Sequence, residues 1–230
     1  MYNRPWHRTV QRALEALNAP LLSENRCFFG GGTRIVMELD EYRESLDIDL
    51  LCADMAGYRM LRLEITERSL GNILAVPLSL AREVRADRYG IRTFFDINGS
   101  KVKFEIVAEG RISLKGLDCP PIPVSCLDHV SCFAEKLLAN ADRWGDRSTL
   151  SRDLIDLAFM RATWGAIPAE ALRLADSAYG MVIGRNMNAA LNLLLTDEAY
   201  LQHCINGLGI SDIKLLRTGL RMLYIEFPES

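Results

Sequence analysis

Asp47 and Asp49, in the string Ser45-Leu46-Asp47-Ile48-Asp49-Leu50-Leu51, are the residues of this 230-residue chain whose types and spacing carry the plainest chemistry. In a β-strand alternate side chains share a face, so the two carboxylates would project together while Ile48 and Leu50 enter a core. Carboxylates at that spacing repel each other unless a cation lies between them, and a hard divalent metal is the usual solution. Upstream stands Gly30-Gly31-Gly32-Thr33, behind the aromatics Phe28 and Phe29. Glycines permit positive φ and close backbone approach, which suits a turn whose amides cradle a phosphate. A phosphate cradle followed by metal-holding carboxylates is apparatus for transferring a nucleotidyl group.

The elements that must position these groups can be read from periodicity. Residues 4–22 read as a helix on the stripe Val10, Ala13, Leu14 and Leu17, ended by Asn18-Ala19-Pro20. Residues 21–29 lead into a first strand, 33–39 form a short helix opening at the glycine turn, and 47–52 form a second strand. Residues 57–69 are a further helical candidate. From Leu80 the grammar is β: strands over 80–88 and 91–97, then Asn98-Gly99 as a tight hairpin turn into 101–108. In that last strand Val102, Phe104 and Ile106 share one face, and Lys101, Lys103, Glu105 and Val107 the other. Glu105 is therefore the candidate third carboxylate that two-metal phosphoryl transfer calls for opposite the first pair. Asp96 is its competitor, although its place beside the Asn98-Gly99 turn favours exposure.

Cys119-Pro120-Pro121-Ile122-Pro123 reads as a linker, because closely spaced prolines continue neither helix nor central strand. After it the pattern is helical, over 124–141, 149–163, 168–177, 186–195, 198–206 and 211–227, with Ser125 and Ser211 as candidate N-caps. The fold class expected is α+β: a mixed sheet with helices over residues 1–118, then a helical bundle over 124–230. Hydrophobic residues make up 49% and charged residues 25% of the chain, which excludes disorder, and a net charge of −3 argues against a general nucleic-acid coat. The six cysteines form no C-x-x-C pair, so reduced thiols are expected rather than zinc. No apolar run is long enough to span a bilayer and no signal peptide is visible, so a cytoplasmic protein without membrane contact is expected.

The pattern Gly31-Gly32-Thr33 followed by Ser45-x-Asp47-x-Asp49-Leu50 resembles the opening of the polymerase-β-type nucleotidyltransferases, and in particular the AbiEii-type nucleotidyltransferase toxins of bacterial toxin–antitoxin and phage-defence systems. The resemblance runs over residues 26–160. It places an acidic residue on the strand of Lys101-Val102-x-x-Glu105, and a triphosphate-contacting lysine at Lys136 in Ala134-Glu135-Lys136. Its last motif matches Arg152-Asp153-Leu154-Ile155-Asp156-Leu157, behind an Asp142-Arg143 pair expected in a loop. Asp153 and Asp156 are an i, i+3 pair that shares a helix face. Asp153 is the functional candidate, holding Lys136 or orienting the nucleotide, and Asp156 would brace Arg152 or Lys136. By spacing alone Lys136 would be a snorkelling surface lysine.

The resemblance implies an enzyme that moves an NMP from an NTP to an acceptor, RNA such as tRNA, as the toxin of a toxin–antitoxin or phage-defence pair, with a cognate antitoxin as partner. Asp47, Asp49 and Glu105 would hold Mg²⁺ or Mn²⁺; Gly31, Gly32, Thr33 and Ser45 would cradle the phosphates; Lys136 would neutralise the departing pyrophosphate. Two alternatives remain open: a degenerate nucleotide- or RNA-binding protein, and a small-molecule nucleotidyltransferase of the antibiotic-modifying kind. Lys214, Arg217 and Arg221 lie at helical spacing as a candidate phosphate-contact stripe, with a plain solvated face as the rival reading.

Overall fold

The computed structural model describes residues 2–228. Their contacts divide into two units, one of residues 2–37 and 45–128, the other of residues 38–44 and 129–228.

The first unit opens with two helices where the sequence predicts one, α1 (Pro5–Glu15) and α2 (Ala19–Glu24). The correction has a chemical cause. Asn18 Oδ1 accepts from Leu21 N at 3.2 Å, so Asn18 caps a new helix, and Pro20 sits in its first turn, where a missing N–H costs no helical bond. The apolar strand β1 (Cys27–Gly30) follows, and α3 (Gly31–Glu38) leaves it with no intervening residue. β2 (Ile48–Cys52) returns antiparallel to β1. α4 (Met55–Leu63), capped by Asp54 through Ala56 N and Gly57 N, starts and ends earlier than the predicted 57–69.

The predicted strand over 80–88 is two short ones, β3 (Ser79–Leu80) and β4 (Arg85–Ala86), because the chain bends at Ala81 and Arg82 and then rejoins the same edge of β5 (Gly90–Ile97). Asn98 and Gly99, at φ 54° and 82°, make the predicted hairpin turn into β6 (Ser100–Ala108), with Ile97 paired to Ser100. Two positive φ values in succession give the turn twist that antiparallel strands favour. The short strands β7 (Gly116–Leu117) and β8 (Cys126–Leu127) complete a sheet of order β3-β5-β6-β2-β1-β8-β7, with β4 also on β5. β2 runs parallel to β6 and β8 parallel to β1, so the sheet is mixed. Its buried side, with Phe29, Leu50, Phe95, Phe104 and Ile106, packs with Val10 and Leu14 of α1.

Cys126 and Leu127 being strand, the helix predicted from 124 begins instead at α5 (His129–Arg143). Ser125 is accordingly no cap; its Oγ bonds Asp118 Oδ1 at 2.9 Å. Arg143 is the last residue of that helix and not part of a loop. The second unit continues with α6 (Arg152–Trp164), α7 (Ala169–Tyr179), α8 (Val182–Thr196), α9 (Glu198–Leu208) and α10 (Ile213–Glu226). α5 packs on α6, α7 and α8, and α10 on α6. At that last crossing a Cβ on Gly219 would meet Ala158 O at 2.0 Å, so only glycine permits the approach. Asp212, not Ser211, caps α10, its Oδ1 accepting from Leu215 N at 2.8 Å. The fold is α+β. Among the described residues no helix is long and apolar enough to cross a membrane.

Candidate active site

Register assembles the acidic cluster of the first unit. β2 lies parallel to β6 with Asp49 paired to Glu105, so two carboxylates distant in sequence share one sheet face. Asp47 stands just before β2, half-buried. The cluster contains its own cations: Lys103 Nζ lies 2.6 Å from Glu105 Oε2 and 3.9 Å from Asp49 Oδ1, and Arg92 Nε donates to Glu105 Oε1 at 2.5 Å. Burial raises the Glu105 pKa, but the Lys103 and Arg92 bonds outweigh it and hold the carboxyl below its ordinary range. Burial likewise pulls the Lys103 ammonium down, while Glu105, Asp49 and Asp47 push it up by more. Asp96 is elsewhere: exposed, paired with Lys101 at the hairpin end, and accepting from Gly99 N at 2.9 Å.

The glycine turn faces this cluster. Gly31 has φ +66° and begins α3; a Cβ there would lie 2.5 Å from Asp49 Oδ2. Gly32 and Thr33 follow in the first turn of the helix, where main-chain N–H groups have no helical acceptor. Such a terminus attracts anions. Thr33 Oγ1 and Ser45 Oγ lie 2.7 Å apart in a hydrogen bond that either can donate, tying the start of α3 to the approach of β2.

A hard divalent cation fits this donor set. Among the described residues no three His, Cys, Asp or Glu side chains converge as a metal cage. Mg²⁺, however, is ordinarily held by one or two carboxylates together with substrate phosphates, and the Asp47–Asp49 pair beside an anion-attracting helix start is such a set.

The second unit builds a buried ion-pair network. Lys136 is only 6% exposed, which overturns the snorkelling alternative. Its Nζ bonds Asp153 Oδ1 at 2.9 Å and Asp156 Oδ2 at 2.6 Å, so the i, i+3 pair on α6 grips one ammonium. Asp156 takes its other partners from residues 38–44, with Arg43 Nε at 2.7 Å, Arg43 Nη2 at 2.8 Å and Tyr42 Oη at 2.6 Å. Asp156 thus braces Arg43 and Lys136, and not Arg152. Asp153 receives Arg143 Nε at 2.6 Å and Nη2 at 3.0 Å, a forked pairing. The Tyr42 ring stacks on Phe159 with centroids 3.8 Å apart. Burial pushes both aspartates up, but Lys136 with Arg143, and Arg43 with Lys136, drive Asp153 and Asp156 below the usual carboxylate range. Burial pulls Lys136 down, yet the two aspartates raise it further.

Sequence patterns do not single out Tyr42, Arg43, Arg92 or Lys103, and they place Arg143 only as the loop residue of an Asp142-Arg143 pair. Lys103 carried a signal, the strand spacing that sets it on the face of Glu105. Arg43 carried none beyond lying two residues before Ser45. On α10, Arg217 is ion-paired with Glu198, which removes the middle charge of the expected basic stripe.

Comparison with known proteins bears on the family and the fold. The family model described as nucleotidyl transferase AbiEii toxin, Type IV TA system, matches residues 12–208. No curated protein sequence matches the chain. Two crystal structures from Helicobacter pylori share the fold. One is a protein solved as a candidate nucleotidyltransferase, 16% identical, covering 95% of this chain and 91% of its own at a TM-score of 0.53. The other is JHP933, 17% identical, covering 98% and 91% at 0.51.

Proposed function

The chain belongs to the AbiEii nucleotidyl transferase toxin family and is a nucleotidyltransferase, and from that premise we propose that it moves an NMP from an NTP to an RNA acceptor such as tRNA, with Mg²⁺ or Mn²⁺. The observation that carries the reading is the juxtaposition at Asp49: Glu105 beside it in register and the Gly31 backbone against its carboxylate. A nucleotide phosphate at the start of α3 would then lie next to the acidic pair.

Asp47 and Asp49 would hold the cation, with Glu105 as the third carboxylate of the cluster. Bound there, the metal would neutralise charge on the triphosphate and lower the pKa of the attacking hydroxyl. Gly31, Gly32 and Thr33 would present main-chain amides to the phosphates, and Ser45 would hold Thr33 in place. Lys136, the lysine that the family resemblance assigns to the triphosphate, would neutralise the departing pyrophosphate, and its ammonium is held by Asp153 and Asp156. Asp153 and Asp156 are on this reading positioning residues, which keep the ammonium charged and fixed. Catalysis would come from orientation and charge stabilisation. Membership of a type IV toxin–antitoxin family supports a cognate antitoxin as the natural partner and the cytoplasm, where NTPs and RNA meet, as the place of action.

One rival has an observation behind it. Both oxygens of Glu105 are already taken, by Arg92 and Lys103, which favours a chain that binds nucleotide without transferring it. The deciding experiment supplies each NTP labelled at its α-phosphate, with Mg²⁺, to the native chain and to Asp49→Asn, together with total cellular RNA and protein. Label entering RNA with the native chain alone supports the proposal. Label in protein or in a small molecule moves the acceptor to another class. Silence with every NTP, alongside retained nucleotide binding, supports the binding-only rival.

A further inference from the structure

Beyond Glu105 the polar face of the sheet turns from acidic to basic. Register sets Asp49 beside Glu105, Glu105 beside Arg92 and Arg92 beside Arg85, one row across β2, β6, β5 and β4. In the neighbouring row Phe94 is paired with Lys103. Three strand spacings of about 4.8 Å put Arg85 about 14 Å from Asp49 along the row. Over this end of the face opens a cavity of about 470 Å³, lined by Arg82, Arg85, Arg92, Lys103 and Phe94, with Glu83 at its wall.

The cations in it are of two kinds. Arg92 and Lys103 are committed to Glu105 and Asp87. Arg82 and Arg85 are exposed, and among the described residues neither is held by a carboxylate. The Arg82 guanidinium lies over the Phe94 ring, 4.6 Å from its centroid. A guanidinium stacked on a half-exposed aromatic ring, beside a second uncompensated arginine, is a surface for a flat base joined to phosphates. A bare anion would make no use of Phe94. The triphosphate already has its cradle at the start of α3, on the far side of Asp49 along the row.

We propose that this cavity is the acceptor subsite and that it takes the single-stranded end of a polynucleotide. Arg82 and Arg85 contact backbone phosphates, and Phe94 with Arg82 stacks a base near the strand end. The inference rests on the nucleotidyl-transfer reading for its direction, with the reacting end pointing toward Glu105 and Asp49. Binding itself does not depend on that reading.

The test is fluorescence anisotropy with a labelled single-stranded RNA of about ten nucleotides, without NTP or metal. The native chain is compared with Arg82→Glu/Arg85→Glu and with Phe94→Ala, all at several salt concentrations. The double variant is expected to bind at least about ten-fold more weakly, with its salt slope reduced by about 1.4, two phosphate contacts at roughly 0.7 each. Phe94→Ala is expected to lose about five-fold or more with an unchanged slope, since stacking releases no counterions. Circular dichroism should be unchanged in both. Equal affinity of native chain and double variant overturns the proposal, as does no binding by the native chain. The melting-temperature shift caused by NTP with Mg²⁺ is measured on the same proteins. That shift present without RNA binding sinks only the acceptor subsite. RNA binding without the shift sinks the transfer reading and leaves the RNA site standing.

Discussion

Asp153 and Asp156 are carboxylates in a nearly dry environment, and cations decide what they cost. Removing Lys136 would leave both of them without the ammonium they share, and breaking a buried pair from one side costs about 3–5 kcal/mol. Lys136→Met is therefore expected to lower stability by that order in urea unfolding as well as to abolish transfer, and a variant of native stability would contradict the network. The pH dependence has a definite sign. Both aspartates have folded pKa values below the unfolded one, so their stabilisation is complete above about pH 4 and is lost as pH falls further. Lys136 is raised, so its share is complete at neutral pH and is lost only as pH climbs past about 10.4. Melting temperature followed from pH 7 down to 2 should fall more steeply for the native chain than for Asp156→Asn, whose missing charge no longer titrates. In the other unit, Asp49→Asn should cut turnover about a hundred-fold or more, on the scale of removing one group that stabilises reaction charge. Glu105→Gln tests whether the charge held by Lys103 and Arg92 matters: a normal rate in that variant would remove Glu105 from the machinery.

At the scale of elements, two glycines decide how close backbones come to what they serve. Gly31 starts α3 in the left-handed region with its Cα against Asp49. Gly31→Ala puts a methyl 2.5 Å from Asp49 Oδ2 and adds a backbone penalty of about 1–2 kcal/mol. Its expected signature is a turnover loss out of proportion to a modest fall in melting temperature; a variant with full activity would detach α3 from the site. Gly219 does the opposite work. Its added methyl would meet Ala158 O where α10 crosses α6, so Gly219→Ala should lower stability by about 1–3 kcal/mol through overpacking. Any native protein that remains folded should keep its turnover per molecule, which an activity assay normalised to folded fraction would read.

At the scale of the whole molecule, a chain with a net charge of −3 concentrates positive charge locally on one side of its sheet. Such a protein should not coat nucleic acid indiscriminately, and its affinity for duplex should be weak beside that for single strands. Ligand linkage offers a global check on the site. NTP at about a hundred times its Kd adds about 2.7 kcal/mol, which for a chain of this size raises the melting temperature by roughly 5–10 °C. The shift should need both nucleotide and Mg²⁺ and should vanish on adding EDTA. A shift of equal size in EDTA would show that the carboxylates hold no metal.

Local patterns told most about the chemistry of this protein. The glycine run, the faces of 101–108 and the Asn98-Gly99 turn are all properties of neighbours in the chain, and each appears in the fold where backbone geometry puts it. Of the Asp47-x-Asp49 pair, by contrast, only Asp49 lies on β2, and Asp47 stands just before it. The α+β class followed from the change of periodicity after the strands. Boundaries were less legible: Asn18 and Pro20 start a helix with the same residue types that end one, and β8 is a strand only through its pairing with β1 and β7. What no local pattern contains is partnership. Glu105 reaches Asp49 through sheet register, and Arg43 reaches Asp156 across 113 residues of sequence. Propensity and spacing fix which side chains share a face, but strand order and helix packing choose the opposing face, and those are decided by the burial of the whole core.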